Sequence, residues 1–322
     1  MKKSVVFSFI IAISLSSCVS PSSSSEEKSS QESFSSSSQS ESSIESISSS
    51  ESISSNEDGK YQGHAPNGYS LTWEDEFLSS SLSDDWEAQI GDGSDYGVYR
   101  WGNNELQYYK RENATVNDGA LHITAKKEQA STENETYQYT SARLRTKGKV
   151  TMTYGYVEAR IKLPAGTGMW PAFWMLPEEI FNGAWWPTSG EIDIMEAKGR
   201  LLDRYGATLH TGSTSGQDSY RFKDYVFEDS DITDYHCYGV EWTEEYFRFY
   251  VDGIGFFSVT PAVYQNSNEA YTSVSKTAPF DRPFHLLLNL AVGGNYDGGR
   301  SPDENFSQAE MLVDYVRIFK KD

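Results

Sequence analysis

Beyond about residue 60, period-two alternation dominates the chain. Val157, Ala159, Ile161 and Leu163 alternate with Glu158, Arg160 and Lys162. Leu121, Ile123 and Ala125 alternate with His122, Thr124 and Lys126. Residues two apart share one face of a strand, so each run reads as an apolar face backed by a polar one. Phe247, Phe249 and Val251 alternate with Arg248 and Tyr250, and Asp252-Gly253 then supplies a hairpin signal. Residues 285–290 and 311–319 are more continuously apolar and read as buried strands. No stretch shows a long, capped amphipathic helix. Many strands, frequent turn residues and no βαβ alternation predict an all-β sandwich of two antiparallel sheets.

The first part of the chain is different. Lys2 and Lys3 precede a short apolar run, too short to span a bilayer as a helix and suited to an export signal over residues 1–17. Leu15-Ser16-Ser17-Cys18 looks like a lipobox, in which Cys18 becomes the acylated N-terminus. The alternative is an ordinary secretory signal that happens to contain Cys18. Residues 18–60 then form a tether. Beyond Cys18 it is more than half serine, salted with Glu, and cannot bury enough apolar surface to offset its ordering entropy. Residues 61–322 suit one large β domain. An exported protein at the cell surface or outer membrane is expected, with simple secretion as the alternative. Cys237 is the only thiol after Cys18, so the domain has no internal disulfide, and Cys237 reads as a small buried hydrophobe. The net charge of −20 disfavours nucleic acid and other polyanions, and fits a neutral ligand.

One segment breaks the packing logic. Glu191-Ile192-Asp193-Ile194-Met195-Glu196 puts three carboxylates in six residues of an otherwise buried strand. Desolvated carboxylates are costly and repel one another. Cleavage of a glycosidic bond needs such a group: one carboxylate to attack and one acid to protonate the leaving oxygen. Glu191 and Asp193 share a face by parity, but Glu196 does not unless a one-residue bulge at Ile194-Met195 resets the alternation. Glu191 and Glu196 are then about 13 Å apart along the backbone, at roughly 3.3 Å per residue. Their side chains must converge to about 5–5.5 Å for a retaining mechanism, which implies a curved sheet with a groove on its inner face. The competing reading is a solvated acidic edge strand.

Aromatic residues make up 14% of the chain, and Trp170, Phe173, Trp174, Trp185 and Trp186 crowd the acidic segment. Trp faces stack on the CH faces of sugars, while Asn, Gln, Glu and Arg bond the hydroxyls. One of Phe173 and Trp174 is expected in the core. The ordered blocks Leu71-Thr72-Trp73-Glu74-Asp75-Glu76-Phe77, residues 101–109, Tyr139-Thr140-Ser141-Ala142-Arg143, residues 168–176, residues 190–196, Thr208-Leu209-His210, residues 238–242, residues 288–294 and residues 313–318 resemble glycoside hydrolase family 16, in its laminarinase-like branch.

The resemblance implies a jelly-roll sandwich of two curved sheets with a concave substrate cleft. It also implies endo-hydrolysis of β-1,3-glucan, with mixed-linkage β-1,3-1,4-glucan as a further substrate. It assigns Glu191 as nucleophile, Glu196 as acid/base and Asp193 as the residue orienting Glu191. It places Trp170, Trp174, Trp185, Trp186, Asn104, Arg143 and His210 in or near the cleft. His210 could equally be structural, and Arg143 could pair with a carboxylate, with substrate or within the sheet. No catalytic cofactor is expected. A structural Ca²⁺ on the convex face would use carbonyls of Glu76 and Gly119 and the carboxylate of Asp314. The five His residues lack zinc-ligand spacing, and the Gly-rich run 292–300 lacks a phosphate-loop ending, reading instead as a turn closing one end of the groove. A monomer acting on a β-glucan is expected. The alternatives are a hydrolase of lichenan, agar, carrageenan or galactan, and a non-catalytic glucan-binding module.

Overall fold

The computed structural model describes residues 63–179, 186–212, 218–260 and 278–322. The signal segment 1–17, the tether 18–60 with Cys18, and Trp185 lie outside the described residues.

The described residues form two large sheets and a small two-stranded one, joined by turns and short 3₁₀ segments. In one large sheet the strands run in the order Ile254–Val259, Phe247–Val251, Tyr235–Trp242, Gly155–Lys162, Gln308–Lys321, Ala120–Lys126, Tyr139–Ser141 and Gln107–Tyr109. In the other the order is Asp218–Val226, Arg204–Gly212, Glu191–Glu196, Met169–Pro177, Phe284–Val292, Arg143–Arg145 and Glu87–Ala88. The two sheets share one core. Leu121, Ile123, Val157, Ala159 and Ile161 come from the first; Phe173, Ile192, Ile194, Met195, Leu286, Leu288 and Leu290 come from the second. Each large apolar side chain so buried contributes about 1.5–3 kcal/mol. This is the two-sheet sandwich the alternation predicts, in the jelly-roll form the family resemblance implies.

Asp252 and Gly253 close the hairpin between Phe247–Val251 and Ile254–Val259 with φ of 48° and 77°, the paired left-handed geometry of a tight turn. Three features differ from expectation. Gln107–Tyr109 runs parallel to Tyr139–Ser141. A long excursion separates these strands, so no tight hairpin forces them antiparallel. Glu158, on the outward face of its strand, is fully buried. It accepts hydrogen bonds from Tyr156 Oη (2.9 Å), Tyr315 Oη (3.0 Å) and the main-chain N–H of His64 (3.0 Å). Cys237 is buried, but in this polar layer rather than the apolar core, with Sγ 3.3 Å from Tyr315 Oη. Strand parity puts both residues outward, and the overlying aromatic rings and residues 63–64 close over them.

Candidate active site

The strand Glu191–Glu196 carries its acids in the direction that pairing dictates. Phe173 faces Met195 and Trp174 faces Asp193, so Ile194 is skipped. On the other edge Asp193 faces Thr208 and Glu196 faces Gly206, so the acid strand has one residue more than its partner there. This is the bulge that parity requires. Ile192, Ile194 and Met195 are fully buried in the core, leaving Glu191, Asp193 and Glu196 together on the opposite face. The solvated edge-strand reading fails, because this strand has neighbours on both sides.

Cross-strand register also shapes the floor. Glu196 lies between Ala172 and Gly206, small residues that leave a furrow running across the strands. Trp170 Nε1 donates to Glu196 Oε1 at 2.9 Å, and the Trp170 ring stacks on Tyr296 with centroids 5.1 Å apart. Tyr296 Oη donates to the Glu196 carbonyl at 3.3 Å. On the Glu191 side, His210 faces Glu191 across the strands, and its Nε2 lies 3.1 Å from Asp193 Oδ2. Its ring sits between Trp186, at 5.9 Å, and Tyr220, at 5.7 Å. Phe173 is core and Trp174 faces the cleft, which resolves the pair left open by sequence.

Arg143 makes neither a sheet ion pair nor a direct bond to the acids. Its guanidinium is buried between Trp101 and Trp174, 4.6 Å from each ring centre, and Nε donates to Gln89 Oε1 at 2.7 Å. Its charge still reaches Glu105 and Glu191. Asn104 takes a left-handed conformation (φ 55°) and donates to Asn295 Oδ1 at 3.0 Å, tying the segment of residues 101–109 to the Gly-rich run. That run does lie at the cleft, as expected. Its Tyr296 was not singled out in the sequence, although the run's position was. Glu105, buried between Gln107 Nε2 (2.6 Å) and Tyr109 Oη (3.1 Å), was missed too. Asn289 links Tyr109 to Trp174, accepting from Trp174 Nε1 at 2.7 Å. Nothing in local sequence pattern marks Glu105, Tyr109, Asn289 and Trp174 as one network.

Packing three acids together raises their hold on protons. Burial first, then the charge of Asp193, pushes Glu196 up to about 8, against the N–H of Trp170. The same two causes push Glu191 well above the usual carboxylate range, while His210 opposes them. Asp193, the middle acid, is thus the charge that most raises Glu196. Burial also lifts Glu105 to about 7, opposed by Arg143. The trio therefore holds fewer than three charges at neutral pH.

Among the described residues, one group of three ligating side chains converges: Glu191, Asp193 and His210, whose ligand atoms lie within 4.8 Å of one another. Sequence spacing hid it because register, not separation along the chain, brings His210 there. At the suggested calcium position, Asp314 is the bulged residue of its strand, and Glu76 and Gly119 lie one and two residues from positions paired with that strand nearby. The donor set is all oxygen, as calcium prefers. Arg160 already holds the Asp314 carboxylate at 2.8 Å, and Arg317 holds that of Glu76 at 2.7 Å, so only main-chain oxygens there lack such an ion pair.

A jelly-roll cleft that gathers carboxylates between aromatic walls is the architecture of a polysaccharide hydrolase. The chain belongs to glycosyl hydrolases family 16, whose model matches residues 102–317. A second model, for the beta-glucan synthesis-associated proteins SKN1/KRE6/Sbg1, matches residues 3–190 and stops short of the acids. Glucan endo-1,3-beta-glucosidase A1 of Niallia circulans is 40% identical over 267 residues, which span 79% of this chain and 38% of that protein. The beta-glucanase of Rhodothermus marinus is 40% identical, over 78% of this chain and 85% of its own. The crystal structure of the laminarinase catalytic domain from Thermotoga maritima superposes with a TM-score of 0.70 at 39% identity, covering 79% of this chain and 99% of that one.

Proposed function

We propose that the protein is an endo-acting, retaining hydrolase of β-1,3-glucan, with activity on mixed-linkage glucan as well. The observation that carries this is the bulge at Ile194, which turns all three acids into one aromatic-walled furrow. The names of the similar glucanases and the laminarinase support the substrate.

In this mechanism the Glu191 carboxylate attacks the anomeric carbon while Glu196 gives its proton to the departing oxygen, and the C–O bond between sugars breaks. Water then loses a proton to Glu196 and displaces Glu191, restoring both groups. Burial and Asp193 favour the protonated form of both acids; His210 opposes them at Glu191, where the Arg143 charge also acts, and so works toward the ionised nucleophile. Asp193 holds a position beside both and orients Glu191. Trp170, Trp174, Trp186, Asn104, Arg143 and His210 contact or position the sugars.

A panel of laminarin, curdlan, lichenan, barley glucan and agarose, read by reducing-sugar release and product linkage, tests the reading. Fastest release from laminarin is expected, and Glu191→Ala lowers it by roughly a thousand-fold or more while the variant stays folded and binds glucan. Substantial turnover by that variant would remove Glu191 from its role. We further propose that Cys18 is lipidated and anchors the chain, which membrane fractionation of a Cys18→Ser variant checks.

A further inference from the structure

We propose that Tyr220 and Phe222, on the edge strand Asp218–Val226, form an aromatic platform for the part of the glucan that departs after the first bond is broken. The inference rests on the hydrolase reading above and extends its cleft by one strand.

Both side chains are exposed, Tyr220 at 57% and Phe222 at 45%. Register puts them on the cleft face: Tyr220 pairs with His210, itself opposite Glu191, and Phe222 pairs with Thr208, itself opposite Asp193. Neither ring packs into the core. The Phe222 ring leans over Gly206, the small residue beside Glu196, where an added Cβ would meet the ring and also Tyr296 Oη at 3.2 Å. A chain lying in the furrow passes Ala172 and Glu196, and over Gly206 the surface it meets is the Phe222 ring. Tyr220 continues the Trp186–His210 row on the same side. Exposed rings continuous with a sugar-type furrow are suited to the CH faces of further sugar units.

The two ends of the furrow differ, and this sets the direction. Toward Arg143 the walls are buried and cross-bonded through Trp101, Trp174, Asn289, Tyr109 and Glu105. That rigid end suits the glycosyl unit, which stays covalently held between the two steps. Toward the edge strand the walls are the exposed rings of Tyr220 and Phe222, without such cross-bonding to the buried network among the described residues, which suits the fragment that must leave before water enters.

The test compares two substrates in a Tyr220→Ser/Phe222→Ser double variant. One is laminarin; the other is an aryl β-1,3-oligoglucoside whose leaving group is p-nitrophenol and which places no sugar on the proposed platform. Expected is a roughly ten-fold loss of kcat/KM on laminarin, from two ring contacts, and a clearly smaller loss on the aryl substrate, which feels only the removal of the Tyr220 ring from beside His210. A Tyr220→Phe/Phe222→Tyr swap, which keeps both rings, retains the rate on laminarin. Equal loss on both substrates, or loss on neither, overturns the platform. Wild-type protein inert toward both substrates would instead strike the hydrolase reading, and the platform with it.

Discussion

Glu196 accepts a hydrogen bond from the Trp170 indole, and that bond sets the direction of a pH effect. The N–H stabilises the carboxylate and so opposes burial and Asp193, which together hold Glu196 at about 8. The reaction needs Glu196 protonated, so kcat/KM on glucan falls as pH rises past about 8. In Trp170→Phe the opposing donor is gone, and the alkaline limb moves to higher pH even as the rate drops. A limb that stays put or moves down would mean that another group loses the proton that matters. At this scale the acids and most wall aromatics were legible in the sequence, because their chemistry is conspicuous in an apolar strand. Glu105 and Tyr296 were not, since a single Glu or Tyr in a loop carries no sign of what the fold packs around it.

At the scale of one element, the bulge is a parity device. Ile192 and Ile194 are both fully buried core residues, so deleting either costs apolar packing. They differ in what happens to side-chain direction. Without Ile194 the acid strand alternates strictly, Glu191, Asp193 and Glu196 still share a face, and the pairing of Glu196 with Ala172 and Gly206 survives. Without Ile192, Glu191 and Asp193 become neighbours and point to opposite faces. The Ile194 deletion is therefore expected to keep hydrolysis within roughly ten-fold of the parent, and the Ile192 deletion to abolish it, with circular dichroism confirming that both fold. Comparable loss in the two deletions would show that bulge geometry beyond parity matters. The sequence predicted this bulge by counting alone, whereas the parallel pairing of Gln107–Tyr109 was beyond it, because partner choice depends on a distant excursion of the chain.

For the whole molecule, the raised carboxyls couple function to stability. Glu105, at about 7, and Glu196, at about 8, hold protons in the folded state that the unfolded chain has already released. The folded state thus binds more protons across the window from about 4.5 to about 8, and stability falls as pH rises through it. His236 acts the same way: burial opposes its proton, but the bond and charge of Asp252, the Asp231 carbonyl and the charge of Asp234 together outweigh burial and raise its pKa. Thermal unfolding followed at pH 5.5 and pH 8.5 should show the lower Tm at the higher pH, and the opposite order would mean that other groups dominate. We also propose that a calcium ion at Glu76, Gly119 and Asp314 has a stabilising role only. A chelator is then expected to lower Tm by a few degrees and to leave the hydrolysis rate below that temperature unchanged. By itself the sequence determined the strands, the two-sheet sandwich, the acid trio and the family, because periodicity, parity and residue chemistry are local properties written in order along the chain. Tertiary structure alone decided that His210 meets Asp193, that Arg143 is caged between two tryptophans, that Glu158 is buried on an outer face, and that an edge strand extends the furrow. Each of these depends on which strands become neighbours and in what register, and that is set by the packing of the whole core.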